Sequence, residues 1–163
     1  MTADPSVRPA ADPLRHGGAA DVVYADAHPT AMADLVGRLL EGNLAAHPER
    51  TELVRRATIE IRATDAHVAV VLLLSPGRIL LGDPRTTAAG RRRDLVIAAS
   101  STDLLSVAGA PLLAGLPDPR RRAGRAVLGA IATRRIRISG IVRRLGTVRR
   151  FARLLSVADD GGH

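Results

Sequence analysis

The chain of 163 residues has no cysteine, lysine or tryptophan, and only one tyrosine (Tyr24) and one phenylalanine (Phe151). Without cysteine it can form no disulfide framework, no cysteine nucleophile and no thiolate-bound zinc or iron–sulfur centre. With two such rings it lacks the stacking platforms on which single-strand nucleic-acid readers hold bases. No stretch approaches the roughly 18–20 consecutive apolar residues that span a bilayer, and the first residues lack the apolar run of a signal peptide. The expectation is a soluble, cytoplasmic protein whose membrane contact is peripheral.

Catalytic patterns are missing too. Ser75, Ser100, Ser101, Ser106, Ser139 and Ser156 lack the Gly-x-Ser-x-Gly setting of a hydrolase elbow. The glycines fit neither the dinucleotide nor the phosphate-loop template. His16, His28, His47, His67 and His163 are too far apart for a metal-spaced pair, and His67 suits a hydrogen bond at a hairpin end. Asp65, Asp83, Asp94, Asp103 and Asp118 fall at turns and helix starts, where carboxylates satisfy backbone N–H groups, and Ser100-Ser101 suits capping. No catalytic residue, metal site or cofactor is assigned, and the chain is read as not an enzyme.

What is abundant is arginine. All 24 basic side chains are Arg, the formal net charge is +8 and the sequence pI is near 11.5. Such a surface favours anionic partners: acidic headgroups, nucleotide-bearing acyl ligands or nucleic acid. A duplex reader could use arginine alone, but no helix-turn-helix pattern with a polar recognition helix is visible.

The length suits one domain, which at this size buries roughly 68–70% of its unfolded surface. Residues 1–29, with Pro5, Pro9, Pro13, Pro29 and Gly17-Gly18, read as a flexible arm whose Asp21-Val-Val-Tyr24 segment is loosely tethered. From Thr30 to Ala45, Met32, Leu35, Val36, Leu39, Leu40 and Leu44 share a helical face, capped by Thr30. Pro48 restarts a second helical piece ending near Arg55. Residues 57–63 then alternate as a strand with one wet face, and 67–74 is a Val/Leu run buried on both faces. Ser75-Pro76-Gly77-Arg78 fits a type II turn, returning the chain as a strand over 78–82. After a polar, basic loop, 94–99 is the fourth strand and Ser101-Thr102-Asp103 starts a short helix that Gly109 and Pro111 end. Asp118 is the expected cap of the next helix with Pro119 in its first turn, and Ala123, Val127, Ala130 and Ile131 share its face. A fifth strand over 135–139 and a final helix from Ile141 to Val157 follow, with 159–163 as a disordered tail. The fold class is α/β (α+β): a five-stranded mixed sheet covered by helices on one face, the domain occupying 30–158.

In the final helix Ile141, Leu145, Val148, Ala152 and Leu155 form an apolar stripe, with Arg143, Arg149, Arg150 and Arg153 opposite and Leu154 exposed among them. The order Asp94–Ala99 strand, Ser101–Leu105 helix start, Ala126–Ile131 helix and Ile136–Gly140 strand and turn resembles the sterol carrier protein type-2 domain family, as a stand-alone bacterial member. The resemblance covers roughly Thr30 to Ala158. It implies non-catalytic binding of a lipid or fatty-acyl ligand in a hydrophobic tunnel between helices and sheet. The lining expected on that basis is Leu104, Leu105, Val127, Ile131, Leu145, Val148 and Phe151, with Arg91, Arg92, Arg143 and Arg149 meeting the headgroup or another anion. Scarcity of aromatic rings favours an acyl chain over a flat sterol. The partners then expected are the lipid, an anionic membrane surface touched peripherally and a second copy in a homo-oligomer, with nucleic acid disfavoured. The alternative is an interaction or dimerisation domain whose cavity is filled; the least favoured is a basic nucleic-acid-binding protein.

Overall fold

The computed structural model describes residues 20–156. In chain order the elements are β1 (Asp21–Tyr24), α1 (Ala31–Ala46), a 3-10 turn (Pro48–Leu53), β2 (Ala57–Ala63), β3 (Val68–Ser75), β4 (Arg78–Gly82), β5 (Leu95–Ala99), α2 (Ser101–Ala108), β6 (Leu112–Leu113), β7 (Leu116–Pro117), α3 (Arg122–Ala132), β8 (Arg137–Ser139) and α4 (Ile141–Leu155). Six of the eight strands form one mixed sheet in the order β1-β4-β3-β2-β5-β8, and β6 and β7 make a separate small hairpin. The expected α+β sheet-and-helix fold is therefore present, with six strands instead of five.

The extra strand corrects the boundary placed at residue 29. Residues 1–19 and the proposed tail 159–163 lie outside the described residues, but Asp21–Tyr24 is a parallel edge strand paired to Arg78–Leu81. Val22 and Tyr24 pack on the core, and Ala20 is buried. Gly37 of α1 makes this possible, because a Cβ there would occupy the place of the Tyr24 hydroxyl. The surrounding prolines and glycines masked a short segment in which Ala20, Val22 and Tyr24 alternate toward the core.

The central strands follow the expected meander. Antiparallel β2 and β3 pair from Ala57↔Leu74 to Ala63↔Val68, and β3 continues into β4 with Leu72↔Leu81. Gly77 at φ 74 supplies the positive dihedral that the Pro76-Gly77 turn needs. β5 joins β2 in parallel with Ile61↔Ile97, and β8 closes the other edge with Ile97↔Ile138.

This register places Ile59, Ile61, Val70, Leu72, Ile79, Leu81, Leu95 and Ile97 on the inner face, under Ala33, Val36, Leu40 and Leu44 of α1 and Phe151 and Leu154 of α4. Each such fully buried aliphatic side chain contributes about 1.5–3 kcal/mol. A second, smaller cluster, Ala99, Ala110, Val127, Ala130 and Ile136, lies under α2 and α3.

Side chains cap the first two helices but not α3 or α4. Thr30 accepts from the Ala33 N–H at 3.2 Å, and Ser100 from the Asp103 N–H at 3.2 Å. Asp118 does not cap α3. It holds a turn through the Arg120 N–H at 2.9 Å, and α3 begins after Arg121 without a side-chain cap. Gly124 packs against the Asp118 backbone, leaving no room for a Cβ.

Candidate functional site

The seven residues expected to line a tunnel are divided between two core clusters and the surface. Val127 belongs to the smaller core cluster with Ile131 packed on it, Phe151 belongs to the larger one with Val148 packed on it, and Leu104 touches both. Leu105 and Leu145 are exposed, by 59% and 42%. Between α4 and the sheet a void of about 10 Å³ is lined by Leu53, Arg55, Ala57, Ile59, Leu74, Thr147, Arg150, Phe151 and Leu154. That is about the space of a single water and far below the roughly 300–1,000 Å³ of ligand pockets.

The phase of α4 explains the discrepancy and corrects the placement of Leu154. This residue is 1% exposed, and the buried stripe is Thr147, Phe151 and Leu154, one position earlier than the stripe read from the sequence. One residue is about 100° of helix rotation. Arg144, with φ −138 and ψ 33, interrupts the helix after its first turn. Arg144 Nη2 pairs with Asp94 Oδ1 at 3.0 Å, while Asp94 Oδ2 accepts the Thr58 N–H at 2.9 Å. The far end of α4 is tied down by Asn43 Nδ2 donating to the Leu154 carbonyl at 2.9 Å and Arg50 Nη1 to the Ser156 carbonyl at 2.7 Å.

The expected anion contacts do not converge either. Arg149 is on α4 beside Gly115 of the β6–β7 hairpin, whereas Arg91 lines a trough on the opposite face of the sheet. Arg92 is exposed in the same loop as Arg91. The Arg143 side chain lies outside the described residues.

The outer sheet face carries Thr58, Glu60 and Arg62 of β2, Val71 and Leu73 of β3, Leu80 of β4 and Val96 of β5, since Thr58↔Leu73↔Leu80 and Glu60↔Val71 are cross-strand pairs. The loop 83–93 is fastened to this face. Glu60, 4% exposed, receives Arg62 Nε at 2.6 Å and Arg93 Nε at 2.7 Å. Arg93 also donates to the carbonyls of Ala88 at 2.7 Å, Pro84 at 3.1 Å and Arg91. Burial alone would push the Glu60 carboxyl up, but the hydrogen bonds and charges of the two guanidiniums outweigh it and hold it below the ordinary value.

Two troughs lie on this face. One, of about 590 Å³, is polar and is lined among others by Glu60, Arg62, His67, Asp83, Arg85 and Arg93. The other, of about 480 Å³, is lined by Arg56, Ala57, Thr58, Leu73, Leu74, Ser75, Arg78, Leu80 and Arg91. Arg56, Arg78 and Arg91 border it, and like several arginines elsewhere on the surface they make no side-chain hydrogen bond or ion pair among the described residues. Of these only Arg91 was singled out from the sequence. The signal for the others was a leucine, Leu73 or Leu80, on the face that faces away from the helices.

The remaining polar residues act locally. His67, at φ 54, places Nδ1 2.9 Å from the Thr64 carbonyl at the β2–β3 turn. Asp65 accepts from the Ser101 N–H at 2.9 Å and its hydroxyl at 3.0 Å, and the first of these bonds leads in holding its carboxyl below the usual range. Asp103 accepts from Arg135 Nη2 at 2.6 Å, linking α2 to the approach to β8. Among the described residues no group of three or more His, Asp or Glu side chains is arranged to hold a metal ion, and no helix is long and apolar enough to cross a membrane.

Sheet order, parallel crossovers and a helical layer on one face together define a sterol-carrier-protein-2-like fold. Among solved structures the chain is similar to one described as UbiJ-SCP2 ubiquinone synthesis protein, with a TM-score of 0.52 and 12% sequence identity over 76% of this chain and 92% of that one. At that identity the likeness is one of fold. No protein-family model and no curated protein matches the chain.

Proposed function

We propose that this chain binds a lipid or fatty-acyl ligand reversibly and without covalent chemistry. The reading is supported by the fold shared with an SCP2 protein, and one observation of this chain carries it. The helix side of the sheet is divided into two apolar clusters that meet at the half-buried Leu104 and Ile138 rather than fusing into one core. A seam between two clusters can part to admit an alkyl chain at lower cost than a continuous core, because fewer close contacts break. The broken first turn of α4 and its Arg144–Asp94 pair are where parting would begin.

The void of about 10 Å³ favours a second reading, a filled interaction or dimerisation domain. Native mass spectrometry of the purified chain for co-purified lipid, followed by fluorescent fatty-acid titration, separates the two. Saturable binding supports the lipid reading; no lipid and no saturable binding supports the interaction domain.

A further inference from the structure

We propose that the outer-face trough is a second, ready-formed lipid site, which takes a single alkyl chain bearing a phosphate monoester head. The floor is Leu73 and Leu80, and the head lies among Arg56, Arg78 and Arg91. This rests on the lipid reading above for the kind of ligand, but needs no opening of the helix side.

Charge carries the argument. Five other arginines, Arg38, Arg62, Arg93, Arg135 and Arg144, each hold a carboxylate within 3.1 Å, and others such as Arg122 and Arg137 hold none among the described residues, so what sets the three apart is their convergence on one trough. The trough gathers three guanidiniums and no carboxylate among its lining residues. Asp21 is the cross-strand neighbour of Arg78, yet forms no ion pair with it. Three like charges around an apolar floor repel one another until an anion sits between them. A phosphate dianion offers that set three strong acceptor oxygens and a double charge, whereas a carboxylate offers two oxygens and a single charge. The volume, about 480 Å³, lies within the range of small-ligand sites.

Position reinforces the assignment. Arg56 precedes β2, Arg78 opens β4 and Arg91 belongs to the loop fastened by the Arg93–Glu60 pair, so all three approach from the framework. Exposed guanidiniums without intramolecular partners can be removed with little effect on folding.

The test is titration of the full chain with dodecyl phosphate below its micelle concentration, followed by amide chemical shifts and calorimetry. The expected result is saturable binding with shifts centred on Leu73, Ser75 and Leu80. Arg78→Ala and Arg56→Ala should each weaken it about tenfold, as loss of a charge-assisted hydrogen bond does. Each methylene removed from the chain should weaken it by up to about fourfold. Dodecanoate should bind more weakly than dodecyl phosphate, inorganic phosphate more weakly still, and dodecyltrimethylammonium should leave these amides unmoved. Equal binding of the cationic amphiphile, or no shift at the trough, overturns the inference. If lipid binding is lost in Val148→Asp but unchanged in Arg78→Ala, the trough assignment fails while the lipid reading stands. If neither dodecyl phosphate nor fatty acid binds, both fail.

Discussion

Replacing Glu60 with Gln tests the joint that holds the outer-face loop in place. The carboxylate is 4% exposed and receives Nε of both Arg62 and Arg93, at 2.6 and 2.7 Å. Removing one partner of a fully buried ion pair costs about 3–5 kcal/mol. Here the cost should be smaller, because the two stranded cations are not equally buried. The Arg62 side chain is 53% exposed and can turn to water, while Arg93, at 21%, keeps its carbonyl partners on Pro84, Ala88 and Arg91. About 1–3 kcal/mol remains, the penalty of one weakened buried charge-assisted contact. For a chain of this length each kcal/mol lowers Tm by about 2–4 °C. Denaturant unfolding at pH 7 should show this loss. The difference should also depend on pH. The folded-state carboxyl lies below its ordinary value, so ionised Glu60 contributes fully above the unfolded-state value of about 4.3, and its contribution disappears as pH falls through the lower folded-state value. Parent and variant should therefore converge in acid. A gap that stays constant from neutral pH to pH 3 would show that side-chain shape, not charge, holds the site and would refute the electrostatic account.

Three further outcomes follow from the same geometry. Phe151→Ala should cost about 3–5 kcal/mol in chemical denaturation, since the ring is 2% exposed in the larger core cluster. Gly140→Ala should destabilise by about 1–3 kcal/mol, because φ is 97 and a Cβ would collide with the Asp94 carbonyl; an unchanged Tm would show that the turn into α4 is free to relax. Val148→Asp should weaken fatty-acyl binding more than Arg149→Ala in the folded variants, as it places a carboxylate beside the larger cluster, whereas Arg149 is an exposed charge; the reverse order in a fluorescent titration would locate the ligand away from the helix side.

The sequence by itself determined the parts whose instructions are local. Alternation over Ala57–Ala63, the Pro76-Gly77 turn and the stripe along α1 specify their elements within a few residues, because side-chain period and turn dihedrals depend on immediate neighbours. The turn and cap roles of Asp65, His67 and Ser100 were legible for the same reason. Tertiary structure decided the rest. Whether Asp21–Tyr24 is tether or strand depends on a free edge of β4 and a glycine at position 37 to receive Tyr24. Which stripe of α4 turns inward depends on how Phe151 and Leu154 pack into the core under α1 and against the sheet, since two stripes one residue apart both carry apolar side chains. Arg56, Arg78 and Arg91, spread over 36 positions of sequence, become neighbours because β2, β4 and the loop 83–93 meet on one side of the sheet. Local patterns set which face of each element is apolar; only packing sets what that face meets and which charges are left without a partner.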